Sequence, residues 1–182
     1  MCCCTIRLWN WLSNLNVSDV GSVAPLSKLI QTLCDADIEF IVVGGFAALL
    51  HGSTLVTRDI DVCAVLSNED VEKLRAALRE FHPTHRLTPQ RLSFLGNPDP
   101  GVPVKNLYLE TDLGSVDLLS SIKGIGDFER VRAGSIEIDL LGRRCRVISL
   151  DDLIRAKEAM GREKDLLAVK ELKAIREKQV KS

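Results

Sequence analysis

Apolar residues recur along this chain at two spacings, and the change from one to the other marks its elements. After Pro25, Leu26, Leu29, Ile30 and Leu33 fall on one face of a helix, which gives way to the β-branched run "IEFIVV". Beyond Gly44–Gly45, "FAALLHG" reads as a short helix closed by Gly52, and "RDIDVCAVL" as a second strand. "NEDVEKLRAALREF" is an amphipathic helix whose acidic first turn suits the positive end of its dipole. Residues 82–103 are rich in proline and predict a loop, with a short strand around Leu92 to Leu95. "VKNLYLET", "GSVDLLS", "SIEIDLLG" and "RCRVISL" are strand candidates, and "DDLIRAKEAM" and "EKDLLAVKELKAIREK" are closing helices. These elements predict an α/β (α+β) fold: a mixed central sheet of about five strands flanked by helices, with a minimal core from Val23 to Ser149. Residues 1–22 have no sustained period and read as a tail or loosely docked segment. Residues 23–182 form the domain, with its C-terminal helices from residue 151.

Composition narrows the setting. A length of 182 residues and 46% hydrophobic content suit one globular, soluble domain. The net charge of −1 gives no global attraction to nucleic acid, so a polyanionic partner would have to be held locally. No apolar run approaches the ~20 residues of a membrane span, which excludes a membrane partner. Cys34, Cys63 and Cys145 are scattered through apolar segments, as expected of small buried hydrophobes in a reducing cytoplasm. Cys2, Cys3 and Cys4 fall in the tail, where no export signal is legible.

The chemistry begins at "RDIDV". On a strand, Asp59 and Asp61 point to one face, while Ile60 and Val62 point to the other and enter the core. Two carboxylates held so close are costly unless a cation neutralises them, and hard oxygen donors suit Mg²⁺ or Mn²⁺. Asp117 sits mid-strand in "GSVDLL", where a charge needs a reason, and is the candidate third carboxylate; Asp112 is the fallback. Gly44 and Gly45 lie between a buried strand and a helix start, where free amides and absent side chains suit a phosphate. Ser53, Thr54 and Thr57 could reach a phosphate, although turn hydrogen bonding accounts for them equally well. His51 reads as a dipole partner at the end of the short helix, and "RRCR" at 143–146 as a solvated basic turn that could hold an RNA backbone.

The order hydrophobic-Gly44-Gly45, then Asp59-Ile60-Asp61 on the next strand, then Asp117 on a later one, resembles the nucleotidyltransferase superfamily that includes DNA polymerase β. Within it the chain is similar to bacterial AbiEii-type and minimal nucleotidyltransferase-like proteins, a likeness carried also by "DLIRAKEAMGREKDL". The resemblance implies a nucleotidyltransferase fold and transfer of a nucleoside monophosphate from an NTP to an acceptor hydroxyl, on an RNA or tRNA end, a protein or a small molecule. It implies two Mg²⁺ or Mn²⁺ ions held by Asp59, Asp61 and Asp117, with Asp117 helping to deprotonate the attacking hydroxyl. Gly44, Gly45, Ser53, Lys157, Arg162 and Lys164 would bind the nucleotide, and Asp165 gains a candidate role. The implied setting is the toxic half of a toxin–antitoxin pair, with a cognate antitoxin as partner. The position after "KDLL" departs from the pattern, being Ala168 where another aspartate is expected. The competing reading is a catalytically silent nucleotide-binding or partner-binding module on the same fold.

Overall fold

The computed structural model describes residues 17–96, 104–140 and 142–181; Cys2, Cys3 and Cys4 lie outside them. The first helix, α1 (Val17–Asp35), buries Leu26, Leu29, Ile30 and Leu33, none more than 2% exposed. It begins at Val17 with Pro25 inside it, not at Pro25, so its first turns fall in the segment expected to be tail. A proline removes one amide bond from a helix without forbidding helical backbone before it.

The chain continues through β1 (Phe40–Val43), α2 (Gly44–Leu50), β2 (Asp59–Ala64), α3 (Asn68–Leu78) and β3 (Thr84–His85). Next come β4 (Asn106–Thr111), β5 (Gly114–Leu119), the small hairpin β6 (Ser121–Ile122) and β7 (Gly126–Asp127), and α4 (Phe128–Ala133). The last elements are β8 (Ile136–Leu140), β9 (Arg143–Val147), α5 (Leu150–Met160) and α6 (Glu163–Lys181). Among the described residues seven strands form the main sheet in the order β3-β4-β5-β2-β1-β9-β8, where about five were expected. The pairs β1–β9 and β2–β5 are parallel and the others antiparallel, so the sheet is mixed. The centre is its most apolar part: every residue of β1 is buried between β2 and β9, and Ile60, Val62, Val116 and Leu118 are fully buried.

Local chemistry sets the helix ends. Helix α3 opens on a capping box: Ser67 Oγ accepts the Asp70 amide at 3.1 Å and Asp70 Oδ2 accepts the Ser67 amide at 3.2 Å. Helix α5 opens with the Asp152 amide donating to Ser149 Oγ at 3.3 Å and stops at Gly161, in the left-handed region at φ +69°. Among the described residues no helix is long and apolar enough to cross a membrane.

Three segments depart from simple sequence patterning. The strand expected around Leu92 to Leu95 is a single bridge, Thr84 to Ser93, pinned by Phe94; its ring is buried under the Arg75 guanidinium, and its carbonyl accepts Arg75 Nε at 2.9 Å. The basic turn at 143–146 is tied down by acids: Arg143 Nε donates to Asp35 at 2.6 Å, and Arg144 and Arg146 both face Glu137 at 3.8 Å. Cys63 and Cys145 are free and buried, and burial pushes both thiols up to about 12.

His51 joins the two halves of the sheet's covering. Its Nε2 donates to the Ile148 carbonyl at 2.8 Å, a bond across 97 positions that ties the end of α2 to the approach to α5. Burial outweighs this bond and holds the imidazole below its ordinary 6.5, so the ring is neutral at physiological pH, not a cationic dipole partner. Because the folded value is depressed, the contribution of His51 is present above about pH 6.5 and is lost as pH falls through the folded value. Replacing His51 with Phe strands the carbonyl and is expected to cost about 1–3 kcal/mol at pH 7.5 in urea titrations. The deficit should shrink at pH 5; a deficit of equal size at both would show that His51 does not titrate in that window.

Candidate active site

The chain leaves β1 through Gly44 at φ +64°, a conformation costly for any residue with a Cβ, and begins α2 at once. Val43 is opposite Asp61 in the β1–β2 register, so this turn lies directly against the Asp61 carboxylate. A Cβ on Gly44 would come within 1.9 Å of Asp61 Oδ2, and one on Gly45 within 2.6 Å of Thr57 Oγ1. Close approach therefore requires both glycines, and backbone conformation requires Gly44 as well.

Register then gathers the acids. Asp61 pairs with Asp117 across the parallel strands β2 and β5, and Asp117 pairs with Tyr108 across β5 and β4. Asp59, two residues before Asp61, shares that face, so the structure brings all three predicted carboxylates to one patch. Each has a different internal partner. Asp59 Oδ1 accepts Thr57 Oγ1 at 2.9 Å and the Arg58 amide at 3.3 Å; Asp61 accepts the Gly45 amide; both Asp117 oxygens accept Arg86 Nη2 at 2.5 Å. Burial first, then the charges of Asp59 and Asp117, raise Asp61 from 3.8 to about 6. Burial also raises Asp117, against the pull of Arg86.

A cavity of about 1030 Å³ opens over this patch. Gly44, Gly45, Asp59, Asp61 and Asp117 form its floor, and Lys157, Arg162, Lys164 and Asp165 of the α5–α6 region line a wall. Asp165 is only 3% exposed; burial would raise its pKa, but Arg162 Nε at 2.5 Å and Lys157 Nζ at 3.6 Å hold it below the usual carboxylate value. Ala168, the departure from the expected aspartate, also lines this wall.

Ser53, a predicted site residue, does not line the cavity, and neither does Thr54. Ser53 is buried, and its Oγ donates to Glu171 Oε2 at 2.5 Å, while the Thr54 amide and hydroxyl each donate to Glu171 Oε1 at 2.8 Å. Glu171 thus fastens the loop before Asp59 to α6, and the hydroxyl that could have met a phosphate is spent on that clamp. Arg58 lines the cavity and, among the described residues, makes no ion pair. Sequence reasoning missed Arg86 because it lies between Pro83 and Pro89 in a stretch read as loop, and missed Tyr108 because nothing in "NLYLET" marks which face it takes.

Whether this patch suits a divalent cation turns on its donors. Hard carboxylate oxygens converge on one face, and burial first, then the two neighbouring carboxylates, disfavour the charge of Asp61, a strain that a cation would relieve. Among the described residues, however, no three His, Cys, Asp or Glu side chains stand as a ready-made metal cluster. The three carboxylates are the hard oxygen donors a divalent cation takes, and Arg86 occupies one of them, Asp117.

Comparison with solved structures places this architecture. The chain is similar to the lincosamide antibiotic adenylyltransferase LnuA in its lincomycin-bound crystal structure, with a TM-score of 0.56 at 16% identity over 84% of this chain and 96% of that one. It is similar also to the antibiotic-resistance factor ANT(2'')-Ia in solution, with a TM-score of 0.53 at 15% identity over 90% and 93% of the two chains. The mixed sheet and flanking helices are those of the nucleotidyltransferase fold. No protein-family model matches the sequence, and no curated protein matches it.

The charge imbalance at Asp61 has a measurable cost. Its folded value is raised above 3.8, so its contribution to stability is full below that value and lost as pH rises through about 6. In EDTA at pH 7.5, Asp61→Asn keeps an acceptor for the Gly45 amide and removes the buried charge. Its Tm should rise by roughly 2–8 °C, with the gain gone by pH 4. A lower Tm at pH 7.5 would show that the carboxylate is already neutralised within the protein.

Proposed function

We propose that this protein is a nucleotidyltransferase that moves a nucleoside monophosphate from an NTP to an acceptor hydroxyl. The observation that carries the reading is the side-by-side register of Asp61 and Asp117 beneath the Gly44–Gly45 turn, inside a cavity walled by Lys157, Arg162 and Lys164. In the reaction a bond forms between the acceptor oxygen and the α-phosphorus, the α–β bridging P–O bond breaks, and pyrophosphate leaves in line. Asp59, Asp61 and Asp117 would hold Mg²⁺ or Mn²⁺, two ions in the full site, which supply charge neutralisation at the phosphate oxygens. The hydroxyl proton passes to the Asp117 carboxylate and from there to water. The glycine turn lets the triphosphate approach the backbone without a side chain intervening, and Lys157 and Arg162, poised on Asp165, turn their charge toward it.

A small hydroxyl-bearing acceptor is favoured over RNA or protein. The basic turn at 143–146 is ion-paired with Asp35 and Glu137 and offers no free phosphate track, and one structure of the same fold was solved with the small molecule lincomycin bound. The likeness to AbiEii-type proteins is carried in part by Lys157, Arg162, Lys164 and Asp165, which all line the cavity. The toxin role that it implies predicts growth arrest on expression, relieved by a cognate antitoxin. A cytoplasmic location follows from a reaction that consumes NTP.

The second reading, a silent nucleotide-binding module, is favoured by the internal partner that each carboxylate already has. The two separate in one experiment: purified protein with each labelled NTP, Mg²⁺ or Mn²⁺, and pooled small-molecule, RNA and protein acceptors. Transfer of label is expected, and Asp59→Asn and Asp61→Asn should each abolish it while the fold survives. NTP binding without transfer to any acceptor would leave the silent module.

Lys157 and Arg155 provide an internal control. Lys157 is 13% exposed at the cavity wall, whereas Arg155 lies outside the lining and donates to Asp152 at 3.2 Å. By calorimetry, Lys157→Ala should weaken NTP binding by roughly 1–3 kcal/mol and Arg155→Ala should leave it unchanged. Equal effects would reduce α5 to a packing element.

A further inference from the structure

Of the three carboxylates in the patch, only Asp117 is ion-paired among the described residues, while Lys157 acts on Asp61 from a distance. Among the described residues no lysine or arginine is ion-paired with Asp59 or Asp61, while Arg86 Nη2 bridges both Asp117 oxygens at 2.5 Å. This contact crosses a strand. The β3–β4 register sets His85 against Leu109, and the Arg86 amide donates to the Tyr108 carbonyl at 2.8 Å, so Arg86, Tyr108, Asp117 and Asp61 stand in one row over four strands. Arg86 reaches over Tyr108 to make the contact.

The reach is imperfectly satisfied. Arg86 Nε is buried and has no hydrogen-bond partner, so the side chain is held by Asp117 through one end only. About 30% of the side chain remains exposed, which leaves it a path outward. Glu110, two residues along β4 from Tyr108, already attracts the guanidinium; its Oε2 accepts Ser115 Oγ at 2.9 Å and stands 3.8 Å from Arg91. A second resting place for Arg86 is therefore at hand.

We infer that Arg86 stands at Asp117 in place of a divalent cation, and that the metal and the guanidinium compete for the same carboxylate. Arg86 is a positioning residue: it keeps Asp117 oriented in the row beside Asp61 and sets how strongly the patch draws in a metal ion. When a cation engages Asp117, Arg86 swings toward Glu110. This rests on the reading of Asp59, Asp61 and Asp117 as the metal-holding set, and it adds that the chain carries its own competitor for that set.

The test is Mn²⁺ binding by the full chain, measured by calorimetry at pH 7.5 without nucleotide, so that no turnover is required. Arg86→Gln should bind Mn²⁺ about tenfold more tightly than the unchanged protein, and Arg86→Lys should fall between them. The gain should vanish with Asp117→Asn, so that the double variant Arg86→Gln, Asp117→Asn binds no more tightly than Asp117→Asn alone. Affinity for Arg86→Gln that is unchanged or weaker overturns the inference, and so does a gain that survives in the Asp117→Asn background, since it would then be a general charge effect. Should Arg86→Gln fail to fold by circular dichroism, Arg86→Lys decides alone: tighter binding supports the competition and equal binding overturns it. Asp59→Asn separates the two layers of the argument. If it leaves Mn²⁺ affinity untouched, the metal-holding set itself is wrong; if it weakens binding while Arg86→Gln changes nothing, only the competition fails.

Discussion

The approach of the Gly44 backbone to the Asp61 carboxylate is the contact on which the rest of this molecule depends. A strand can bury an aspartate only if something satisfies it, and here a left-handed glycine brings the following amide onto the carboxylate with no room for a Cβ between them. The turn also aims α2 across the edge of the acidic patch, so the direction of the helix and the solvation of the charge are settled by one residue. Thr57 repeats the device on Gly45, pressing against it while donating to Asp59. The loop between α2 and β2 is thereby fitted to both glycines.

The charges around the cavity are distributed unevenly. On the wall, Asp165 has two basic partners and sits below the ordinary carboxylate value; on the floor, Asp61 has two acidic neighbours and sits at about 6. A polyanion with bound cations matches this polarity, its negative groups meeting the wall and its cations the floor. Arg86 softens the contrast at one point only.

Much of this architecture was legible in the chain because its signals are local. The period of two at Asp59–Val62 puts the acids on one face, and the strands from Asn106, Gly114, Ile136 and Arg143 announce themselves as short segments with apolar residues between glycines and polar breaks. Asp117 could be recognised because a charge amid Val116 and Leu118 is out of place. What could not be read depends on distant partners. Arg86 is a loop residue until β3 pairs with β4; Ser53 looks like a phosphate ligand until Glu171 claims it from 118 positions away; His51 looks like a helix-end cation until it is buried against Ile148. Helix α1 begins early because a proline removes one amide bond from a helix without ending it, so Pro25 does not fix the boundary.

The Glu171 clamp has a consequence for how the protein comes into being. Floor and wall are far apart along the chain: a growing polypeptide has made the glycine turn and all three acids long before it makes the residue that fastens the loop to the last helix. The cavity is therefore complete only once α6 has docked, because its lining joins residues from β1 to α6 and the loop is fastened across 118 positions.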